Sequence, residues 1–145
     1  MKQVQKTAAF AAPRATCLAA ACLAAACLMA PAMTRADEVP PVNPYSGDAK
    51  VIREGKSWFM NVCSPCHGGK ADGAGDRGTA AGLRKWNKGF RKFVDTVQHG
   101  KDTGRTMTMP AWGAVLDQKT IFQIGAFLET QAIEGANWKE GATQH

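Results

Sequence analysis

A chain of 145 residues accommodates one domain. Its formal charge of +6 overstates how basic the working part is: four of the 18 basic residues and none of the 12 acidic ones fall in the first 36 positions, leaving +2 on the remaining 109. That near-balance provides no basic footprint for nucleic acid, and only two of the five cysteines lie beyond position 36, so no separate pair is left for a structural disulfide.

Residues 1–36 have the pattern of an export signal. Lys2, Lys6 and Arg14 form a basic leader, Thr16 to Ala32 is a run of Ala, Leu, Cys and Met, and Thr34-Arg35-Ala36 offers small residues at the two cleavage-determining positions. Cleavage is expected near Ala36. The apolar run falls short of the roughly 20 residues a spanning helix needs, which makes a retained membrane anchor the second reading. Cys17, Cys22 and Cys27 each lack the Leu, Val or Ile three residues earlier that a lipoprotein signal would have.

Residues 37–47, with Pro40, Pro41, Pro44 and Gly47, predict an extended lead-in. A helix is expected from Ser46 or Asp48 to about Asn61, with Val51, Ile52, Trp58, Phe59 and Val62 on a wide buried stripe. Gly55 within it is unfavourable by about 1 kcal/mol relative to Ala and fits a close crossing by another helix. The helix feeds directly into Cys63-Ser64-Pro65-Cys66-His67, the C-x-x-C-H attachment pattern of a c-type haem. At this spacing each thiol reaches one of the porphyrin's two vinyl groups, and the imidazole that follows is aimed at the iron.

Gly68 to Gly78 is a glycine-rich stretch, expected to be a flexible loop around a haem edge. It lacks the Gly-Lys-Ser/Thr ending and the preceding strand of a phosphate cradle. Phe90, Phe93, Val94 and Val97 predict a short amphipathic helix, with Asn87 as candidate cap and Gly100 as stop. Lys101 to Gly113 forms a loop containing Met107, Met109 and Pro110. A last helix is expected from about Asp117 to Thr130, carrying Ile121, Phe122, Ile124, Phe127 and Leu128, with Gly125 inside its apolar stripe. Gly55 and Phe59 are expected to cross Gly125 and Phe127. Residues 48–130 then form the domain, and residues 131–145 an irregular tail pinned by Trp138.

Other chemistries fit Cys63, Cys66 and His67 less well. A redox-active disulfide of the thioredoxin kind needs strands around the motif, and the pattern is helical throughout. A zinc site would have to draw further ligands from a chain with only His99 and His145 left. His99, ending a helix beside Gly100, reads as a carbonyl cap before it reads as a haem ligand.

The order of helix, CSPCHG, glycine-rich loop, short helix, MPAWG loop and final amphipathic helix resembles the class I monohaem cytochromes c across nearly all of residues 37–145. The resemblance implies an all-α cytochrome c fold, with three to four helices around one covalently attached haem and the terminal helices crossing. It implies thioethers from Cys63 and Cys66 to one haem c, with iron held by His67 on the proximal side and Met109, directly before Pro110, on the distal side; Met107 is the alternative. Met60 is assigned to packing. The family often has a Gly-Pro pair whose proline carbonyl accepts the proximal His N–H. Here the stretch Gly78-Thr79-Ala80-Ala81-Gly82-Leu83 has no proline, which leaves the acceptor open. Trp86 is a candidate propionate donor or a packing residue. The basic run Arg84, Lys85, Lys88, Arg91, Lys92 is a solvated face, or in a cytochrome a surface that steers an acidic partner or holds a propionate.

The expected function is that of a periplasmic electron carrier, not an enzyme, with redox proteins rather than nucleic acid or a small-molecule substrate as partners. Asn43 to Asp48 and Glu134 to Lys139 resemble flanks of small cytochromes associated with methanol or alcohol oxidation. That likeness implies a quinoprotein (PQQ-dependent) alcohol dehydrogenase as donor and an oxidase or second cytochrome as acceptor. The alternatives are a haem subunit of a larger membrane respiratory complex and an open-site haem enzyme such as a peroxidase.

Overall fold

The structure is a computed structural model that describes residues 38–102, 104 and 108–139. The export stretch 1–36, Met107 and the end of the tail lie outside the described residues. Helix α1 spans Ala49–Trp58 and is capped by Asp48, whose carboxylate accepts from the N–H groups of Lys50 and Val51. The helical path does not stop at Trp58: it widens into a π-helical segment, Phe59–Cys63, and tightens again into α2, Ser64–His67. Helix α3 spans Phe90–His99 and α4 spans Gln118–Thr130, capped by Asp117 through the Thr120 N–H.

The all-α reading holds, with one small addition. Two two-residue strands, β1 (Ala74–Gly75) and β2 (Gly78–Thr79), pair antiparallel inside the glycine-rich loop. Alternating apolar patterning cannot announce strands this short. That loop carries its own network of backbone hydrogen bonds. Asn87 is not the cap of α3; Gly89 occupies that position, and Gly100 ends the helix as expected. The lead-in is not simply extended either, since Ser46 N–H donates to the Asn43 carbonyl and Asp48 N–H to that of Tyr45, making a turn.

Helices α1 and α4 cross closely, but not glycine against glycine. A Cβ on Gly55 would lie 1.8 Å from the Gln123 carbonyl oxygen, so backbone meets backbone there. Gly125 instead makes room for the rings of Phe90 and Phe93 on α3 and for Asn43. Phe59 and Phe127 do meet, with centroids 5.3 Å apart. The core is built from Phe59, Phe90, Phe93, Val94, Val97 and Leu116 together with the apolar side chains of α4. With Phe59 facing this core, its chain neighbours project about 100° to either side. Trp58 and Met60, both expected inside, are accordingly 42 % and 43 % exposed.

Both flanks are integrated into the fold. Asn43 donates through Nδ2 to the Phe122 carbonyl at 2.9 Å. After α4, Ile133 N–H donates to the Arg84 carbonyl and Asn137 N–H to that of Trp86 at 2.7 Å, while Gly89 N–H donates back to Asn137. Trp138 packs on Phe93 and Trp86, which ties the described part of the tail, 131–139, to the fold. Among the described residues no helix is long and apolar enough to cross a membrane.

Candidate haem-binding site

Cys63 is the last residue of the π segment, and Cys66 and His67 lie on the turn that follows, so one continuous helical path presents all three. Gly68 ends that turn with φ +77°, and a Cβ there would lie 2.4 Å from Asp72 Oδ1. The chain then doubles back over the pentapeptide. Gly73 N–H donates to the His67 carbonyl at 2.8 Å and Arg77 N–H to the Pro65 carbonyl at 2.9 Å. Gly75 lies so close to the Pro65 and Cys66 carbonyl groups that a Cβ would come within 2.4–2.6 Å of them. The glycines therefore let one backbone lie flat on another and fix the turn carrying His67.

His67 Nδ1 lies 2.8 Å from the Ala81 carbonyl oxygen. A carbonyl only accepts, so Nδ1 carries the proton and Nε2 keeps its lone pair for a metal. Ala81 thus fills the role that the missing proline left open. This acceptor was invisible in the sequence because a backbone carbonyl carries no residue signature.

The surroundings of Cys63 are not those of a reactive thiolate. Burial, and secondarily the neighbouring Cys66, push the Cys63 thiol up to about 12, far from the lowered values that make a reactive thiolate. Nor do three His, Cys, Asp or Glu side chains converge on a metal site among the described residues. A porphyrin iron needs only two protein donors, one on each side of the ring.

Met109 belongs to a separate strap. Lys101 N–H donates to the Met109 carbonyl at 2.9 Å and Met109 N–H returns the bond at 3.1 Å. Just beyond, Trp112 N–H reaches the Val97 carbonyl and Gly113 N–H that of Gln98. Gly100, at φ +74°, permits this close return, since a Cβ there would lie 2.6 Å from the Met109 carbonyl oxygen. Met109 is half-buried, and both it and Cys63 pack against the same core cluster. Two thiols, one imidazole with Nε2 available and one thioether sulfur are side chains compatible with haem c.

Other candidates have different roles. Trp86 Nε1 donates to the Gly89 carbonyl at 2.9 Å and its ring packs edge-on to Phe93, so it is a packing residue rather than a propionate donor. His99 is exposed, with Nδ1 2.9 Å from Asp95 Oδ1 and 3.1 Å from the Asp95 carbonyl. Lys92 pairs with Asp95, Arg91 donates to the Val39 carbonyl and pairs with Glu38, and Arg84 donates to the Gln131 carbonyl. The basic run is therefore partly tied into the fold.

Residues 50–128 match the family described as cytochrome c oxidase, cbb3-type, subunit III. The chain belongs to this cytochrome c family. Cytochromes c of this family bind covalent haem c with its iron, and electron transfer is their function, so haem c is the cofactor of this chain and electron transfer its role. The chain is 34 % identical over 100 residues to the cbb3-type cytochrome c oxidase subunit CcoP of Azospirillum sp. (strain B510), a match covering 63 % of this chain and 32 % of that protein. The corresponding subunit of Azospirillum brasilense is 30 % identical over 100 residues, covering 64 % and 32 % respectively. The chain thus spans about a third of the length of the curated relatives it matches. Among solved structures, cytochrome CL of Methylophaga aminisulfidivorans is 27 % identical, with a TM-score of 0.48 over 61 % of this chain and 58 % of that one.

Proposed function

We propose that this cytochrome is an exported carrier whose single haem is tethered through Cys63 and Cys66 and ligated by His67 and Met109. The observation that carries the reading is the His67–Ala81 hydrogen bond, which orients the ring and leaves Nε2 as the donor atom. Haem c supplies a one-electron couple between ferric and ferrous iron. The chain contributes the rest: Ala81 fixes the His67 ring, and the Lys101–Met109 bridge holds the sulfur-bearing loop against the apolar core. With His67 and Met109 both holding the iron, no coordination position would be open for a substrate, and the protein would carry electrons without making bonds. A sulfur ligand raises the potential.

In this reading residues 1–36 are a signal removed near Ala36, residues 48–130 form the domain and the carrier works in the periplasm. The lead-in at Asn43 to Asp48 and the tail at Glu134 to Lys139 support a role beside a quinoprotein methanol or alcohol dehydrogenase as donor, with an oxidase or second cytochrome as acceptor. The test is reduction of the ferric protein by such a dehydrogenase in the presence of its alcohol; failure with every candidate enzyme would sink the choice of donor. The long-wavelength charge-transfer band of a sulfur–ferric iron bond should also be visible, and its absence would favour an open-site haem enzyme such as a peroxidase.

A second reading rests on the match to CcoP proteins, which are named as oxidase subunits. The chain would then serve as a haem-bearing part of a membrane respiratory complex. Stable copurification with an oxidase after detergent extraction separates this from a freely dissociating carrier.

A further inference from the structure

Pro65 sits inside a helical path, between the two cysteines. Proline has no N–H to donate, and its ring crowds the carbonyl four residues back, here that of Asn61. Immediately before it the helix widens into the π segment, where Ser64 N–H donates to the Phe59 carbonyl, five residues back. The Met60 carbonyl thereby loses both of its ordinary backbone donors. Ser64 N–H is engaged with Phe59, and the next residue in line is Pro65. Met60 is satisfied instead by a side chain, since Ser64 Oγ donates to its carbonyl oxygen at 2.6 Å. The turn before is braced in the same manner, with Asn61 Nδ2 donating to the Ser57 carbonyl at 2.8 Å.

We infer that Ser64 is a positioning residue of the haem-attachment turn, its hydroxyl standing in for the backbone N–H that Pro65 lacks and so holding the π-to-α junction between Cys63 and Cys66. The inference rests on the reading that this pentapeptide carries the haem. Its consequence for the site is rotational. One residue of helical register is worth about 100°, so a junction that relaxes towards α geometry turns Cys66 and His67 relative to α1 and strains the Ala81 bond. Threonine offers the same hydroxyl for a bond to the carbonyl four residues back, whereas alanine offers none.

The test compares holoproteins: wild type, Ser64→Ala, Ser64→Thr, Pro65→Ala and the Ser64→Ala/Pro65→Ala double variant. Each is measured for its guanidinium unfolding midpoint and for the paramagnetically shifted His67 ring resonances of the ferric protein. Ser64→Ala should lower the midpoint and displace the resonances, and Ser64→Thr should leave both in place. On the Pro65→Ala background the Ser64→Ala effect should shrink several-fold, because the new N–H at position 65 reaches the Met60 carbonyl. Equal effects on the two backgrounds, or unmoved His67 resonances, overturn the inference. If Ser64→Ala yields no holoprotein, recovery by adding Pro65→Ala supports it and failure to recover overturns it. Wild-type protein without covalent haem, read from its pyridine haemochrome spectrum, sinks the haem reading itself; haem-loaded protein with no coupling between positions 64 and 65 sinks only the role of Ser64.

Discussion

Met109 is held by its backbone on both sides, through the bridge to Lys101 and through the strap that Trp112 and Gly113 fasten to α3. Replacing its side chain should therefore leave the path of the loop in place while removing the sulfur and some packing against the core. Met109→Ala is expected to lower the reduction potential by on the order of 0.2 V, within the roughly 0.8 V that axial ligation spans among haem proteins. Covalent haem is retained, because Cys63 and Cys66 are untouched; spectroelectrochemical titration reads the change. Glu129 gives a second prediction at this scale. Burial holds its carboxyl above the usual range, opposed by hydrogen bonds from Ser46 and Asn43. Between the ordinary value and the raised one, the folded state binds more protons than the unfolded chain, so stability falls as pH rises through that interval. Glu129→Gln should flatten this dependence and raise the unfolding midpoint at neutral pH, as denaturant titrations across the carboxylate range will show. Cys63, Cys66 and His67 were legible as candidates because the C-x-x-C-H spacing resides in side chains, and Met109 because the resemblance sets a methionine directly before Pro110. Ala81 was not, since any residue at that point of the loop offers the same carbonyl, and only the folded path of the backbone aims it at His67.

The α1–α4 crossing gives glycines with similar sequence contexts opposite tolerances. At Gly55 an added methyl meets a backbone carbonyl at 1.8 Å, which no rotamer can move aside. At Gly125 it meets the side-chain atoms of Phe90, Asn43 and Phe93 at 3.1–3.2 Å, and these can shift by a few tenths of an ångström. Gly55→Ala is therefore expected to destabilise by about 3 kcal/mol, with Gly125→Ala affected much less once the helix preference for alanine is counted. Chemical unfolding of the two variants checks the order; equal losses would contradict it. Sequence patterning predicted the crossing but paired the wrong glycines, because spacing along one helix says nothing of which part of the other lies across it. The helix starts near Asp48 and Asp117 were readable, and in the structure both carboxylates cap the turn that follows them. Asn87 was misread because α3 begins three residues later, where the loop carrying Trp86 is tied to the tail through Asn137. The π segment left no periodic trace: it arises from the conflict between a helical path and Pro65.

At the scale of the whole molecule, a unit of about a hundred residues without a structural disulfide has little core to spare. Cys63 and Met109 pack against the apolar cluster of the described residues, so a haem tethered at Cys63 would adjoin that core. The Cys63→Ala/Cys66→Ala variant, which has no thioether tether, should show a large loss of cooperative thermal unfolding by circular dichroism. Retention of the wild-type transition would mean that the polypeptide core suffices alone. Charge plays a smaller part at this scale. The basic run is offset by Glu38 and Asp95 and by backbone carbonyls, leaving Lys85 and Lys88 among its exposed members.

The crossing of α1 with α4 also sets an order in time. Gln123 and its partner Glu54 stand 69 positions apart, so the crossing closes only after nearly the whole domain has emerged from synthesis or export. Much of the cluster against which Cys63 packs is contributed by α4, the last helix to arrive. If Cys63 carries the haem, as proposed, attachment would have its opening before the final helix docks, and a methyl at position 55 that delays docking should prolong that opening.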